Sequence, residues 1–296
     1  MKRKILITGS TGFIGHNLKE GLFKDYSIVA PVSSELDLIN SEEVKLFLER
    51  YQFDMVIHCA THNATITSKK DLSKVLYSNL MMFFNLARCY KLYDRMFYFG
   101  SGAEYDKENY VPQMKEDYFD MHVPKDDYGF SKYIMAKYIE NKPNIYDLRL
   151  FGCFGKYEDW RIRFISNAIC KTIYNLDITI KQNVYFDYLY INDLVKIIKL
   201  LIEKPKLENH YYNVCTGKTI DLLSIAKKIL AISNKNLKIV IKSSGLKREY
   251  SGDNHQLLKE IGQFEFTPLD QAIKELYIWY KSNKKLINKN FLLTDK

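Results

Sequence analysis

The sequence predicts an α/β fold in which a parallel, doubly wound sheet is joined to a smaller α+β lobe. Strand-length runs alternate with helical segments through the first half of the chain, and each run is apolar throughout, as in strands buried on both faces. Beyond Gly155 this alternation gives way to short strands mixed with helices. The 296 residues suffice for one large domain or two closely joined ones.

Five strands and four helices are expected in the first half of the chain. The predicted strands are Lys4–Thr8, Ser27–Val32, Met55–Cys59, Arg95–Gly100 and Ile145–Leu150. The predicted helices are an amphipathic stretch that ends at Phe23, Glu42–Tyr51 with Ser41 as N-cap, Leu72–Tyr93 and Tyr128–Glu140.

The second half is predicted to hold the smaller lobe. Its expected helices are Arg163–Tyr174, Asp193–Glu203, Leu222–Ile232 and Leu269–Tyr280, and its expected strands are two within Ile178–Tyr190, then Tyr211–Val214 and Lys238–Ile241. We assign residues 1–155 and 186–206 to the sheet domain, and residues 156–185 and 207–290 to the smaller lobe.

Composition narrows the possible partners. The net charge of +9 is spread over the chain without a helix-turn-helix, zinc-finger or RNA-binding aromatic motif, so we expect an anionic small ligand rather than nucleic acid. No apolar run approaches the roughly 20 residues of a membrane span. The five cysteines are scattered without a CxxC pair, which predicts neither a metal site nor a disulfide framework and favours the reducing cytoplasm.

Three glycines follow the first strand with the spacing G-x-x-G-x-x-G and open a helix. Gly9 permits a tight turn, Gly12 a close approach of a pyrophosphate, and Gly15 close packing of helix on sheet. The helix N-terminus would face the phosphates with unpaired N–H groups. This pattern predicts a Rossmann-type dinucleotide site. Its expected contacts are Gly9, Thr11, Gly12, Phe13, Ile14 and Gly15.

The end of the second predicted strand favours one dinucleotide over the other. An acidic residue there would bind a ribose 2′-hydroxyl and repel a 2′-phosphate, whereas this chain has Ser33 and Ser34. We therefore expect NADPH, with NAD as the alternative, although no arginine accompanies the serines and Glu35 follows them.

Tyr128 and Lys132 form a candidate acid. On a helix they share a face, and the ammonium would lower the phenol pKa from its reference of about 10 toward neutrality. Tyr-x-x-x-Lys occurs five times in the chain, so the pattern alone does not select this copy. Ser101 ends the strand upstream, where parallel-sheet enzymes place reactive groups, so it is expected to meet Tyr128 and Lys132. The alternative is that Ser101 only caps a turn.

In this combination the chain resembles the extended short-chain dehydrogenase/reductase family, in the branch that acts on nucleotide-diphosphate sugars. The resemblance covers nearly the whole chain in order. The matching segments are Thr8–Gly15, Glu35–Leu38, Val56–Ala60, Asn79, Ser101, Tyr128–Lys132, Arg149–Gly155, Phe186–Leu194 and Tyr212–Gly217.

The resemblance implies roles for these residues. Tyr128 would be the acid/base at a sugar oxygen, Ser101 would hydrogen-bond that oxygen, and Lys132 would hold the nicotinamide ribose. Further implied cofactor contacts are Ser33, Ser34, Asp37, Leu38, Cys59, Ala60, Thr61, Asn79 and Phe151. Implied substrate contacts are Ala103, Glu104, Asn167 and Arg248. The family also implies a homodimer built on the helices at Leu72–Tyr93 and Tyr128–Glu140.

The residues after Ser101 discriminate between members of the family. By resemblance to the family, 4,6-dehydratases have a Thr-Asp-Glu sequence where this chain has Ser101-Gly102-Ala103. GDP-fucose synthases have a cysteine at the position of Ala103 and a histidine at the position that we align with Arg163. Glu104 lies one position after the acids of the dehydratases, and on an extended segment its side chain is expected to point to the opposite side from theirs. The chain is therefore closest to 4-keto reductases, without C3/C5 epimerisation, that make bacterial surface-polysaccharide sugars. A 4-epimerase with tightly bound NAD and a non-catalytic dinucleotide-binding module are the alternatives.

Two further positions depart from the family pattern. Its usual asparagine after Arg-x-x is Gly152 here, and its usual arginine before Asp-Tyr is Phe186. Both fall on the substrate side, so the identities of the sugar and of the nucleotide base stay open.

Overall fold

The computed structural model describes residues 2–62 and 70–293, which form eleven strands and nine α-helices. The strands are β1 Lys4–Thr8, β2 Ser27–Val29, β3 Met55–His58, β4 Arg95–Tyr98, β5 Ile145–Leu150, β6 Gly152–Phe154, β7 Ile178–Asn183, β8 Tyr185–Tyr190, β9 Tyr211–Val214, β10 Thr219–Asp221 and β11 Ile239–Leu246. The helices are α1 Phe13–Leu22, α2 Ser41–Tyr51, α3 Val75–Ala87, α4 Asp127–Ile139, α5 Phe164–Ile173, α6 Ile191–Glu203, α7 Leu222–Ser233, α8 His255–Ile261 and α9 Leu269–Ser282.

Six parallel strands form the central sheet in the order β2-β1-β3-β4-β5-β9. The chain changes direction across the sheet between β1 and β3, where Thr8 pairs with His58. Open parallel sheets bind ligands outside the carboxyl ends of their strands at such a reversal point. All residues of β3, β4 and β5 are buried, which explains why they form continuous runs in the sequence.

Helices cover both faces of this sheet. One apolar cluster joins the sheet to α1 and α6 through residues such as Leu18 and Ile197, and a second joins it to α2, α3 and α4 through residues such as Leu48 and Phe83. The predicted doubly wound α/β architecture is therefore confirmed. No helix in the described part of the chain is long and apolar enough to cross a membrane.

The smaller lobe contains a three-stranded sheet, β10-β8-β6, and a two-stranded sheet, β11-β7. Two segments differ from the predicted division of the chain. Tyr211–Val214, predicted in the smaller lobe, pairs with β5 as an outer strand of the central sheet. Strand β8, most of which we had assigned to the sheet domain, pairs with β6 and β10 instead. Strand pairing joins segments distant in sequence, so local pattern did not reveal either partner. The rest of the division stays a prediction.

Several predicted element ends differ from the structure, and three of the differences have a clear physical or structural description. Strand β2 stops at Val29, because Pro31 has no N–H to continue a ladder. Asn40, not Ser41, caps α2, and its side chain accepts from the N–H groups of Glu42 and Glu43. The predicted helix Leu72–Tyr93 is a 3-10 turn at Leu72–Lys74, the helix α3, and a second 3-10 turn at Tyr90–Leu92.

Candidate active site

The glycine loop after β1 packs directly on the loop after β3. Gly9 has φ +65°, and a Cβ there would lie 2.6 Å from the Ala60 nitrogen. A Cβ at Gly15 would lie 2.3 Å from the Gly9 carbonyl oxygen. Helix α1 has no side-chain cap and no acidic residue in its first turn, so its N–H groups suit a dinucleotide diphosphate. The loop geometry therefore fits the predicted cofactor.

The titratable side chains at the end of β3, beside the glycine loop, are uncharged at neutral pH. The Thr8 hydroxyl lies 2.8 Å from His58 Nδ1 and 3.3 Å from the Ala60 nitrogen, which donates to it. Burial, with a contribution from Lys132, lowers the pKa of His58 to about 3. Burial also raises the pKa of the Cys59 thiol. Both side chains are therefore uncharged at neutral pH and cannot serve as an ionised acid or base there.

Asn79 provides a buried polar group without a hydrogen-bond partner among the described residues. Its Oδ1 accepts from the Thr61 hydroxyl at 3.2 Å and from the His62 N–H at 2.7 Å. Its Nδ2 is buried and has no hydrogen-bond partner among the residues that the structure describes. A buried donor of this kind is expected to find an acceptor, and a cofactor oxygen would supply one.

The loop after β2 presents hydroxyls at the surface. Ser33 and Ser34 are exposed, and the Glu35 carboxylate accepts from the Val32 N–H at 2.9 Å. Asp37 is exposed and accepts from the Ile39 N–H at 2.9 Å. Leu38, the other implied adenine contact, packs into the cluster beneath α2 and α3. The cofactor contacts of these residues stay predictions.

Tyr128 and Lys132 lie one turn apart on α4, with the Lys132 Nζ 5.8 Å from the centre of the Tyr128 ring. Asp126 caps this helix by accepting from the Gly129 N–H at 3.0 Å, which places Tyr128 in the first turn. Lys132 is buried, and its Nζ donates to the Phe99 carbonyl oxygen at 2.6 Å. The ammonium is thus held between the end of β4 and the Tyr128 phenol.

Ser101 caps a 3-10 turn and also faces the site. Its Oγ accepts from the Ala103 N–H at 3.2 Å, so the predicted alternative of a turn cap holds. The same hydroxyl also interacts with the phenol of Tyr250, which in turn lies near Tyr128. Helix α4 packs on this turn, since a Cβ added at Gly129 would lie 2.9 Å from the Ala103 carbonyl oxygen. Capping does not exclude the predicted role of Ser101 beside Tyr128, which stays a prediction.

Tyr250 is a site residue that the sequence analysis missed. Burial raises its pKa, and its ring centre lies 5.0 Å from those of Phe151 and Tyr110. Phe151, an implied cofactor contact, is buried in this aromatic wall and lies 6.2 Å from Tyr105 between ring centres. Tyr250 reaches Ser101 from almost 150 residues later in the chain, and its only sequence clue is the implied substrate residue Arg248.

The predicted substrate contact at Glu104 is wrong. The 3-10 turn Gly102–Tyr105 directs this side chain inward, where it is 0% exposed. Its Oε1 accepts from the Ser101 N–H at 2.8 Å, and its Oε2 lies 3.0 Å from Arg149 Nε. We expected an extended segment here, and a turn instead places Glu104 beneath Ser101. Ala103 is half-buried in the same turn, and its substrate contact stays a prediction.

The other implied substrate residues lie in the smaller lobe. Asn167 on α5 donates through Nδ2 to the carbonyl oxygens of Trp160 and Arg161, at 3.1 and 3.3 Å. Its amide therefore holds the preceding loop. Arg248 follows β11 and is exposed. Neither position contradicts a substrate role, and both remain predictions.

Comparison with known proteins identifies the family. Residues 5–215 match the model of the NAD dependent epimerase/dehydratase family. The chain belongs to this family. The predicted resemblance to extended short-chain dehydrogenases/reductases is thereby confirmed, and members of this family are NAD(P)-dependent enzymes acting on nucleotide sugars.

Relatives and solved structures of this family match along nearly the whole chain. A GDP-L-fucose synthase from Azorhizobium caulinodans is 24% identical over 302 residues, which cover 94% of this chain and 96% of that protein. A GDP-mannoheptose C4 reductase from Campylobacter jejuni, solved with NADP bound, has a TM-score of 0.81 at 20% identity and covers 95% of this chain and 98% of its own. A UDP-glucose 4-epimerase from Thermotoga maritima, solved with UDP-glucose, has a TM-score of 0.81 at 19% identity and covers 96% and 100%. The solved structures establish the shared fold.

Proposed function

We propose that this protein is an NADPH-dependent reductase of the 4-keto group of a nucleotide-diphosphate-linked 6-deoxy sugar. The observation that supports the proposal most is the set of side chains around Ser101. Tyr128 and Lys132 adjoin each other on the helix that packs on the turn after this serine, while Ala103 has no ionisable group and Glu104 is buried beneath Ser101. This contrast supports reduction of a ketone over elimination or carbon epimerisation at this position.

Reduction of a ketone requires little more than these residues. Bound NADPH supplies the hydride to the carbonyl carbon. In our proposal the Ser101 hydroxyl polarises the carbonyl oxygen, and the Tyr128 phenol donates a proton to the alkoxide as it forms. Lys132 holds the nicotinamide ribose and presents its positive charge to the Tyr128 ring.

Epimerisation beside the ketone would require further bases. Tyr250 borders Ser101 and Cys153 lies on β6, and burial raises the pKa of the Tyr250 phenol and of the Cys153 thiol. Both are protonated at neutral pH and are therefore poor bases for removing a proton from carbon. This supports reduction without C3/C5 epimerisation.

Surface residues, the names of similar proteins and the net charge support a particular cofactor and sugar nucleotide. Ser33 and Ser34 are exposed, and the Glu35 carboxylate folds back onto the Val32 N–H, which supports room for a 2′-phosphate and hence NADPH. The relatives named above include two enzymes with GDP-sugar names. The net charge of +9 suits a diphosphate. We therefore propose a GDP-sugar, in bacterial surface-polysaccharide synthesis, with the enzyme in the cytoplasm, where its five free thiols would stay reduced.

A substrate panel tests this proposal. Purified protein is mixed with NADPH and nucleotide-linked 4-keto-6-deoxy sugars, and the reduced nicotinamide absorbance is followed. Loss of that absorbance with at least one ketone is expected. NAD that co-purifies, together with interconversion of 4-epimeric nucleotide sugars and no NADPH oxidation, would establish the 4-epimerase instead. Dinucleotide binding without turnover of either substrate class would favour a non-catalytic module.

A further inference from the structure

Two carboxyl groups meet in the interior directly beneath Ser101. Glu104 and Asp147 are 0% and 1% exposed. Both contact Gly100, where an added Cβ would lie 2.0 Å from Asp147 Oδ1 and 2.4 Å from Glu104 Oε1. Only a residue without a side chain leaves room for the pair at the end of β4.

A single cation serves both carboxyl groups. Arg149 Nε donates to Asp147 Oδ2 at 2.8 Å and lies 3.0 Å from Glu104 Oε2. Two ionised carboxylates and one guanidinium would leave a net negative charge in the interior, which is costly. Adding one proton to the two carboxyl groups brings the net charge of the three groups to zero.

The hydrogen bonds of the pair leave acceptors free for that proton. Because Arg149 Nε donates to Asp147, Glu104 Oε2 accepts no hydrogen bond, and neither does Asp147 Oδ1, among the described residues. The two side chains interact directly, and burial with the Asp147 charge raises the pKa of Glu104 well above its usual range. A proton shared between the two carboxyl groups would supply the donor that these unpaired oxygens lack.

Among the residues that the structure describes, Arg149 is the one cation within 4 Å of either carboxyl group. Arg149 Nη1 donates to the Tyr105 hydroxyl at 3.0 Å, and burial raises the pKa of that phenol. Lys132 Nζ is held by the Phe99 carbonyl oxygen and lies 4.5 Å from the centre of the Tyr98 ring. Other titratable groups near the pair and its arginine, among the described residues, are Tyr98, Glu116, Tyr211 and Tyr250.

We propose that Glu104 and Asp147 share one proton and, with Arg149, form a neutral buried unit that positions Ser101. Glu104 Oε1 accepts from the Ser101 N–H at 2.8 Å, while Lys132 Nζ donates to the Phe99 carbonyl oxygen at 2.6 Å. The end of β4 is thus held from both sides. Glu104 is a positioning residue, since it acts through Ser101. The positioning role rests on the proposed function, whereas the shared proton does not.

Infrared spectroscopy tests the shared proton without any activity measurement. The difference spectrum between the unmodified protein and Glu104→Gln at neutral pH is expected to contain the carbonyl stretch of a protonated carboxylic acid. Glu158→Gln, at a separate buried carboxyl, is the matched control and should remove a different band. Absence of a Glu104-dependent acid band, with only carboxylate bands changing, would overturn the proposal.

Kinetics test the positioning role. Glu104→Gln can accept from Ser101 N–H and donate to Asp147, so its kcat should stay within a few-fold of the original. Glu104→Ala removes both contacts and should lower kcat by about tenfold to a hundredfold with little change in KM. An Ala variant that binds dinucleotide and keeps full kcat would refute the role. If no ketone is reduced by any variant, the proposed function fails while the infrared result still decides the shared proton.

A double variant covers the case in which Glu104→Ala does not fold. Glu104→Gln and Asp147→Asn each leave one carboxylate for Arg149, and both should melt near the unmodified protein. Together they leave a buried guanidinium without a counter-charge, so the Tm of the double variant should fall well beyond the sum of the single changes. Additive Tm changes would contradict the proposed neutral unit.

Discussion

At the scale of single residues, surroundings rather than pattern distinguish Tyr128. The Tyr133 hydroxyl, in the next copy of Tyr-x-x-x-Lys, is hydrogen-bonded to Asp120, and Lys137 pairs with Asp120 and Glu140 at the surface. Lys132 instead is buried against the Phe99 carbonyl oxygen, beside the Tyr128 phenol. The same spacing therefore forms a surface ion-pair network in one place and a candidate proton donor in the other.

Tyr128→Phe should lower kcat by at least about a hundredfold, because it removes the proposed proton donor. Dinucleotide binding, measured by fluorescence titration, should be retained. Tyr277→Phe is the matched control, since it also begins a Tyr-x-x-x-Lys sequence but lies on α9 in the smaller lobe. Full activity in Tyr128→Phe would show that another group donates the proton.

Glu158 makes stability depend on pH near neutrality. Burial raises its pKa from 4.5 to about 7, although the Ser166 hydroxyl donates to it at 2.6 Å and Arg163 lowers the pKa. Between these two values the folded protein holds a proton that the unfolded chain releases, so stability falls as pH rises through this window, by up to ~3 kcal/mol.

Glu158→Gln should remove this dependence, because the amide keeps the shape and does not ionise. The Tm of the unmodified protein should decline between pH 5 and pH 8 more steeply than that of the variant. Parallel melting profiles over this range would mean that Glu158 is already ionised in the folded state at pH 5.

At the scale of elements, the helix ends and the turn after β4 differed most from expectation. A serine and an asparagine are adjacent before α2, and both are good N-caps, so the sequence did not select between them. Asn40 takes the role because its backbone is extended, while Ser41 is already helical. The turn after β4 likewise depends on a side chain, since Glu104 closes a capping box onto Ser101.

Asn40→Ala should reduce the free energy of unfolding by about 1 kcal/mol, because two N–H groups of α2 lose their acceptor. Ser41→Ala, one residue later, should change it by no more than a few tenths of a kcal/mol. Urea unfolding of both variants measures the contrast. Equal costs for the two substitutions would contradict the assigned cap.

At the scale of the whole molecule, the site is built from segments far apart in the chain. The loop after β4 is joined to the segment before α8, because the Met114 N–H donates to the Ser251 carbonyl and the Asp253 N–H donates to the Met114 carbonyl, at 3.2 and 2.8 Å. This pairing brings Tyr250 to Ser101. The aromatic wall beside Ser101 therefore depends on the smaller lobe being folded.

We also expect a homodimer that buries the outer faces of α3 and α4. These helices lie side by side, and apolar side chains of α3 remain at its surface, among them Tyr77 at 58% exposure. Sedimentation should give twice the 34.9 kDa of one chain. Tyr77→Glu should shift the equilibrium to the monomer, since a charge would be buried in an apolar contact, whereas Leu246→Glu, on the exposed strand β11, should not. A monomer at all concentrations would disprove this arrangement.

The sequence by itself determined the parallel sheet, the dinucleotide loop and the candidate residues Ser101, Tyr128 and Lys132. These depend on local pattern: continuous apolar strands, glycines at a strand–helix turn, and a helical spacing of four. Only the tertiary structure decided that β9 joins the central sheet, that Tyr250 reaches Ser101, and that Glu104 faces Asp147 and Arg149 rather than substrate. Each of these is a contact between segments distant in sequence, and its energy depends on burial and charge that no local pattern records.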